Sequence, residues 1–169
     1  MQIQSEADII QAIQAGKRVA AQTEDGALSI RIDEYVPYLC TAIHAGHRLR
    51  EDLAAHCHLD EKEREKEEDP HTDMLISGFP ITLIAHDSRY EYDLNRAPED
   101  CIYQTAWEKP VWKKPLTQPS QQVSRDKHTQ YYRILHQLIS TLEARFGGCL
   151  IIDVPVSYTH LRAHETTVY

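Results

Sequence analysis

Three short apolar runs along the chain each end at a polar residue that is able to bind a metal ion or a substrate. They are Val36–Ile43 before His44, Ile81–Ala85 before His86 and Asp87, and Cys149–Ile152 before Asp153. Runs of this length that are rich in β-branched residues predict buried strands. Because ligands in α/β proteins lie outside the carboxyl ends of the strands, we expect these three ends to form one shared site.

The pattern between these runs predicts helices that alternate with strands. Ser5 is placed to cap a first helix that stops at Gly16, and Ser124 is placed to cap a long helix that ends before Gly147. Other predicted elements are hairpin strands over 18–22 and 28–32, a helix over 49–58, an extended segment over 89–96 and a long ordered loop over 97–120 that contains Trp107 and Trp112. The alternation predicts an α/β fold with a mixed sheet flanked by helices.

Composition narrows the classes of function. The chain has 169 residues and a net charge of −8, so a nucleic-acid partner has no electrostatic support. No apolar run has the length of a membrane span, and the four cysteines have no CxxC spacing, which favours a reducing, cytoplasmic protein. The charged run over 60–69 is interpreted as a solvated helix end or surface loop.

Residues 155–169 break every preceding pattern, and we interpret them as a translated sequencing adapter rather than natural protein sequence. His160 and His164 are therefore excluded as ligands. On this interpretation residues 1–154 form the N-terminal part of a single domain, and the chain is truncated at or just after a core strand.

A catalytic zinc ion needs three protein ligands and an open position for water. His44 and Asp73 have suitable side chains at loop positions, and a third ligand is expected after Asp153. The alternative for His44 is a structural histidine at a strand end. Four other candidates are weaker: His47 and Glu51 are possible substitutes for Asp73, and His71 and His86 could orient the ligands from behind. The adjacent residues of His56-Cys57-His58 point in different directions on a helix and are interpreted as structural.

Several segments in order resemble the N-formylglutamate amidohydrolase family. They are 43–46 (Ile-His-Ala-Gly), 69–73 (Asp-Pro-His-Thr-Asp), 88–90 (Ser-Arg-Tyr), 92–96 (Tyr-Asp-Leu-Asn-Arg), Tyr131 on a helix, 146–147 (Phe-Gly) and 149–153 (Cys-Leu-Ile-Ile-Asp). The resemblance implies the fold of carboxypeptidase A-like zinc hydrolases and a zinc site built from His44, Asp73 and a histidine shortly after Asp153. Pro155 stands where that histidine is expected, and the general base is expected further along. We therefore expect the chain as it stands to be inactive.

The resemblance also implies a substrate that is an acidic N-acyl amino acid, with N-formyl-L-glutamate as the first choice. Arg89, Asn95 and Arg96 are the candidate substrate-binding residues, because guanidinium groups bind carboxylates through paired hydrogen bonds. The alternative for Arg96 is a salt bridge with Asp93 or Glu99. Two further functions remain open, namely a related amidase or peptidase with another substrate, and a non-catalytic binding module.

Overall fold

The computed structural model describes residues 1–106 and 108–154, and a six-stranded mixed sheet is its centre. The strands are β1 (Gln2–Gln4), β2 (Val19–Thr23), β3 (Leu28–Ile32), β4 (Tyr38–Ala42), β5 (Ile81–Ala85) and β8 (Leu150–Asp153), with a separate small hairpin of β6 (Thr105–Ala106) and β7 (Lys109–Pro110). The helices are α1 (Glu6–Gln14), α2 (Glu51–Ala54), α3 (Glu61–Glu65), α4 (Thr72–Leu75) and α5 (Gln118–Phe146). The predicted α/β class with a mixed sheet flanked by helices is confirmed.

The order of strands in the sheet brings the three predicted polar ends together. The order is β1-β2-β3-β5-β4-β8, and β4 pairs in parallel with both β5 and β8. The carboxyl ends of these three strands therefore lie at the same edge of the sheet, as the sequence predicts. The antiparallel pairs β2–β3 and β3–β5 complete the other half of the sheet.

The core lies mainly between the sheet and the helices α1 and α5. Ile9 and Ile13 of α1 and Ile134 and Leu138 of α5 are fully buried there. Side chains alternate along β4, so Leu39 joins this core while Cys40 and Ala42 join a second, smaller cluster. That second cluster contains Cys40, Ala42 and Ile76.

Two helices differ from their predicted bounds. The helix α5 begins at Gln118, with Thr117 accepting a hydrogen bond from the backbone N–H of Ser120, so Ser124 is buried inside the helix and is not its cap. The predicted helix over 49–58 is limited to the four residues of α2. The capping of α1 by Ser5 and the bounds of β3 and β5 are as predicted.

The segment after β5 is folded into turns and is not the extended stretch that its alternation predicts. The backbone N–H of Asp93 donates to the carbonyl of Cys101 at 2.7 Å, which closes this segment into a loop. Trp112 is buried and donates from Nε1 to the carbonyl of Tyr103 at 2.7 Å, so the long loop is ordered. Trp107 lies outside the described residues. Within the described ranges no helix combines the length and apolar character needed to cross a membrane.

Candidate functional site

His44 lies just beyond the end of β4 with a carboxylate beside each of its ring nitrogens. Its Nε2 is 2.8 Å from Oδ1 of Asp93, and its Nδ1 is 3.6 Å from Oδ2 of Asp69. All three side chains are buried. The backbone also joins two of them, because the N–H of Asp69 donates to the carbonyl of His44 at 2.9 Å. The histidine ring is therefore held in one orientation at the edge of the sheet.

Asp93 is the most heavily hydrogen-bonded member of this group. Besides His44, it accepts hydrogen bonds from Arg89 Nη2 at 2.8 Å, from the Tyr103 hydroxyl at 2.6 Å and from the backbone N–H of Asn95 at 2.8 Å. Burial alone raises the pKa of Asp93, but the hydrogen bond from His44 and the charge of Arg89 outweigh burial and hold that pKa well below its usual range. Asp93 is thus a carboxylate at neutral pH.

The ionised Asp93 fixes the proton position on His44. A carboxylate accepts, so Nε2 of His44 donates to it and Nδ1 faces Asp69. Burial lowers the pKa of His44, whereas the carboxylates of Asp69 and Asp93 raise it, and the net shift is upward from the ordinary value. A carboxylate that accepts from one ring nitrogen fixes the tautomer and orientation of a histidine, as it does for metal-binding histidines.

The three residues predicted to bind substrate have different environments. Arg89 is mostly buried, and its guanidinium donates to Asp93, to the Tyr103 hydroxyl and to the carbonyl of Glu67. The side chain of Arg96 is 47% exposed, with its Cζ 4.1 Å above the centre of the Tyr103 ring. Asn95 is exposed next to it. Arg89 therefore serves the protein's own carboxylate, while Arg96 and Asn95 are accessible to a ligand.

Arg96 and Asn95 line a cleft of about 410 Å³ between the loop after β5 and the helix α5. Leu94, Ala97, Pro98, His128, Thr129 and Tyr132 form the rest of its lining. Tyr132 donates its hydroxyl to the carbonyl of Leu94, and His128 Nε2 donates to the carbonyl of Arg96 at 2.9 Å. These two bonds fix the cleft wall to the loop that carries Asp93. Arg96 Nε is also 3.6 Å from Asp93, which is one of the two salt bridges considered from the sequence.

Asp73 lies in α4, and no polar contact joins it to His44 among the described residues. It lines a separate cleft of about 460 Å³ together with Arg31, Ser77 and Thr82. Among the described residues, the acidic side chain beside Nδ1 of His44 is Asp69. The pairing of His44 with Asp73 remains a prediction, and the geometry favours Asp69 in its place.

The other candidates from the sequence make no polar contact with the His44 ring, whose partners among the described residues are Asp69 and Asp93. His47, Glu51 and His71 are exposed, and Nε2 of His86 hydrogen-bonds with the Ser29 hydroxyl at 2.9 Å. His56 Nδ1 donates to the carbonyl of Asp52 at 2.8 Å on the protein surface. Residues 56–58 lie beyond α2, so the helix assumed for this histidine pair does not include them.

The end of β8 adds a third acidic residue near the site. Oδ1 of Asp153 accepts a hydrogen bond from the Thr41 hydroxyl at 2.8 Å. Burial raises the pKa of Asp153, and both His44 and Asp69 act on it electrostatically. Tyr131 is in the core on α5, and its neighbour Tyr132 is the tyrosine that reaches the cleft.

The donor set meets the requirements of zinc in part. Zinc–ligand distances of about 2.0–2.2 Å place two donors of a tetrahedral ion roughly 3.4 Å apart, and Nδ1 of His44 and Oδ2 of Asp69 are 3.6 Å apart. The hydrogen bond from Nε2 of His44 to Asp93 supplies the supporting carboxylate. Within residues 1–106 and 108–154, no three His, Cys, Asp or Glu side chains are grouped to hold an ion. Among the described residues, His44 and Asp69 are thus the two side chains whose spacing could suit a zinc ion.

Sequence reasoning missed four residues of this site. Asp69 and Asp93 both lie in segments that resemble the family, but neither was predicted as a site residue: Asp69 ended a charged run interpreted as solvated, and Asp93 was interpreted as a possible salt-bridge partner of Arg96. Tyr103 and Tyr132 carried no distinguishing signal.

A mixed sheet with polar side chains collected at the carboxyl ends of parallel strands is the arrangement of an α/β enzyme domain. The sequence profile of the N-formylglutamate amidohydrolase family matches residues 36–166. The chain therefore belongs to this family of hydrolases. The match includes residues 155–166, which the sequence analysis attributes to an adapter, and that attribution remains a prediction.

Two solved structures share the fold. The crystal structure of N-formylglutamate amidohydrolase from Ralstonia eutropha JMP134 aligns with a TM-score of 0.70 and 19% identity, over 76% of this chain and 56% of that one. The gene product Atu2144 from Agrobacterium tumefaciens aligns with a TM-score of 0.64 and 14% identity, over 80% of this chain and 60% of that one. The chain thus spans less than two thirds of each structure. A comparison with curated protein sequences finds no match.

Proposed function

We propose that this chain is part of a zinc-dependent amidohydrolase that cleaves the amide bond of an N-acyl amino acid, with N-formyl-L-glutamate as the first choice of substrate. Family membership supports the amide hydrolysis. The observation that carries the proposal is the buried His44 ring, held by Asp93 on one nitrogen and facing Asp69 on the other.

His44 and Asp69 are the residues that would hold the zinc ion. Zinc, when bound, lowers the pKa of a water molecule and polarises the substrate carbonyl. The protein's own contribution is to keep the ligands in place: Asp93 retains the Nε2 proton of His44, and Arg89 and Tyr103 hold Asp93.

Arg96 and Asn95 are proposed to bind the free carboxylate of the substrate. The Cζ atom of Arg96 lies 4.1 Å from the centre of the Tyr103 ring, and this cation–π contact limits the motion of the Arg96 side chain before a ligand arrives. A carboxylate accepts two parallel hydrogen bonds from such a group. Arg89 is assigned to the support of Asp93, since both of its terminal nitrogens already donate to protein groups.

Zinc binding tests the metal assignment without requiring turnover. Equilibrium dialysis followed by metal analysis compares the unchanged chain with His44→Ala, Asp69→Asn and Asp73→Asn. The first two variants should bind zinc at least tenfold more weakly, on the order of the loss that even outer supporting residues cause, and Asp73→Asn is the matched control. Zinc retained by His44→Ala would refute the site. If Asp73→Asn loses zinc binding and Asp69→Asn retains it, the ligand pair predicted from the sequence, His44 with Asp73, would be favoured instead.

Calorimetry with N-formyl-L-glutamate tests the carboxylate site. Removing a charged hydrogen-bond donor costs about 1.5–3 kcal/mol, which corresponds to roughly 10- to 150-fold weaker binding by Arg96→Ala. Arg133→Ala is the control, because Arg133 is an exposed arginine on α5 whose partner is Glu6 at 3.6 Å. Equal affinities of the two variants would contradict the assignment of Arg96.

The lining of the cleft supports a second choice of substrate. Arg96 is the one Lys, Arg, Asp or Glu residue among the described residues that line the cleft. The wall around it is otherwise uncharged when histidine is counted as neutral. N-formyl-L-glutamate carries two carboxylates, whereas a monocarboxylic N-acyl amino acid would match one guanidinium and an otherwise neutral wall. A calorimetric series from N-formyl-L-glutamate to N-formyl-L-leucine separates the two, and a folded chain that binds neither zinc nor any of these compounds would favour a binding module.

A further inference from the structure

A cluster of buried charges lies between α5 and the loop after β5, apart from the groups around His44. Lys127 Nζ is 2.9 Å from Oδ2 of Asp87 and 2.8 Å from Oε1 of Glu91. Both carboxylates are inaccessible to solvent, and the side chain of Lys127 is 10% exposed. Arg48 Nε donates to Asp87 at 2.7 Å, and the backbone N–H of Arg50 donates to Glu91 at 3.1 Å.

Stability does not explain such a cluster. Removing charges from water is costly, and replacing a buried ion pair by apolar groups of similar size is often neutral or stabilising. Burial raises the pKa of Glu91 even though Lys127 acts in the opposite direction, which shows that desolvation is not fully offset. We therefore expect the cluster to contribute by fixing the position of the loop that carries Asp87 and Glu91.

The loop that carries the cluster also carries the supports of His44. Asp87 and Glu91 contact Lys127 of α5 at 2.9 and 2.8 Å. Arg89 and Asp93 belong to the same loop and pair with each other at 2.8 Å. Asp93 in turn holds Nε2 of His44. A displacement of the loop from α5 would move Asp93 away from the histidine.

We propose that Lys127 is a positioning residue, whose paired contacts with Asp87 and Glu91 fix the loop so that Asp93 meets His44. The inference rests on the proposed function, which gives His44 its role as a zinc ligand. Lys127 itself contacts Asp87 and Glu91 and is not assigned contact with substrate or metal.

The test uses variants that separate geometry from stability. Lys127→Met alone leaves Asp87 paired with Arg48 at 2.7 Å and Glu91 paired with Arg50 at 2.9 Å, and these pairs hold part of the loop without Lys127. The informative variant is therefore the triple Asp87→Asn, Glu91→Gln, Lys127→Met, in which Arg48 and Arg50 keep their contacts with the carbonyls of Asp25 and Ser120. Lys127→Arg is the conservative variant that should retain the paired contacts. Lys109→Met is the matched control, because Lys109 pairs with Glu63 at 3.0 Å on the surface and is 65% exposed.

The first readout is the ¹⁵N spectrum of the His44 ring, which reports the protonated nitrogen and its protection from exchange and does not require zinc. In the unchanged chain, Nε2 should carry a slowly exchanging proton. The triple variant should keep the thermal midpoint of the unchanged chain or exceed it, yet its Nε2 proton should exchange at least tenfold faster. Zinc affinity, the second readout, should fall by about 10- to 100-fold. Lys127→Arg and Lys109→Met should match the unchanged chain in both.

Two outcomes would overturn the proposal. A triple variant with the unchanged His44 spectrum would show that the cluster does not position Asp93. A triple variant that fails to fold would show that the cluster is a stability element. If the unchanged chain binds no zinc, the assignment of His44 and Asp69 as zinc ligands fails, while the His44 spectra still decide the role of Lys127.

Discussion

Gly46 lies where the loop after β4 touches the loop after β5, and replacing it by alanine should disrupt both. A Cβ atom at this position would lie 2.1 Å from the carbonyl carbon and 2.2 Å from the carbonyl oxygen of His86. These are backbone atoms, which a rotamer change cannot move. The two loops would have to separate by more than an ångström to restore ordinary contact.

The expected loss in the free energy of unfolding follows from the backbone hydrogen bonds that join the two loops. Arg48 N–H donates to the carbonyl of His86 at 3.2 Å, and Ser88 N–H donates to the carbonyl of Arg48 at 2.8 Å. Losing both hydrogen bonds costs about 2 kcal/mol and overpacking adds about 1–3 kcal/mol, so we expect Gly46→Ala to lower the free energy of unfolding by about 3–5 kcal/mol. Domains of this kind have only about 5–15 kcal/mol in total.

Urea denaturation measures the effect. With a typical slope of about 2 kcal/mol per molar urea, the midpoint should fall by roughly 1.5–2.5 M. Gly78→Ala is the control, because no atom lies within 4 Å of a Cβ there and its φ is not positive. That control should be neutral or more stable by up to about 1 kcal/mol. The steric argument fails if both variants unfold at the same urea concentration.

Three further predictions concern the site and the long helix. Asp93→Asn removes the charge that holds His44 and Arg89, and we expect a loss of about 3–5 kcal/mol in urea denaturation; a loss below 1 kcal/mol would contradict the central role of Asp93. The raised pKa of His44 predicts extra stability that is fully present below about pH 6.5 and declines as the pH rises through the higher folded-state pKa, and His44→Gln should lack this dependence when unfolding is followed from pH 5 to 9. Thr117→Ala should lower the thermal stability by about 1 kcal/mol through loss of the α5 cap, and an unchanged midpoint would argue against that cap.

Elements whose pattern is unambiguous could be predicted from the sequence. Ile81–Ala85 is an apolar run between turn residues, and the structure has β5 at those bounds. The meeting of the ends of β4, β5 and β8 also followed from the pattern, because parallel strands place their carboxyl ends at one edge. These are features in which local sequence and tertiary fold agree.

The start of α5 and the burial of Asp69 depend on long-range packing and could not be predicted from the local pattern. The first two turns of α5, from Gln118 to Ser124, are polar and lack an apolar stripe, and their helical signal was a threonine cap followed by Pro119 near the start. Asp69 belongs to a run of charged residues that composition describes as solvated, yet it is buried against His44. Composition alone does not tell which end of such a run returns to the core.

The two aspartates beside His44 are the same residue type, and their surroundings give them different capacities. Asp93 already accepts from His44, Arg89, Tyr103 and a backbone N–H, so its oxygens are occupied and its position is fixed. Among the described residues, the carboxylate of Asp69 has a polar contact only with Nδ1 of His44, at a distance longer than a good hydrogen bond. A carboxylate with satisfied oxygens can orient a histidine, whereas a carboxylate with free oxygens can bind what the histidine binds. The number of donors that each aspartate has already satisfied therefore makes Asp93 the support and Asp69 the candidate ligand.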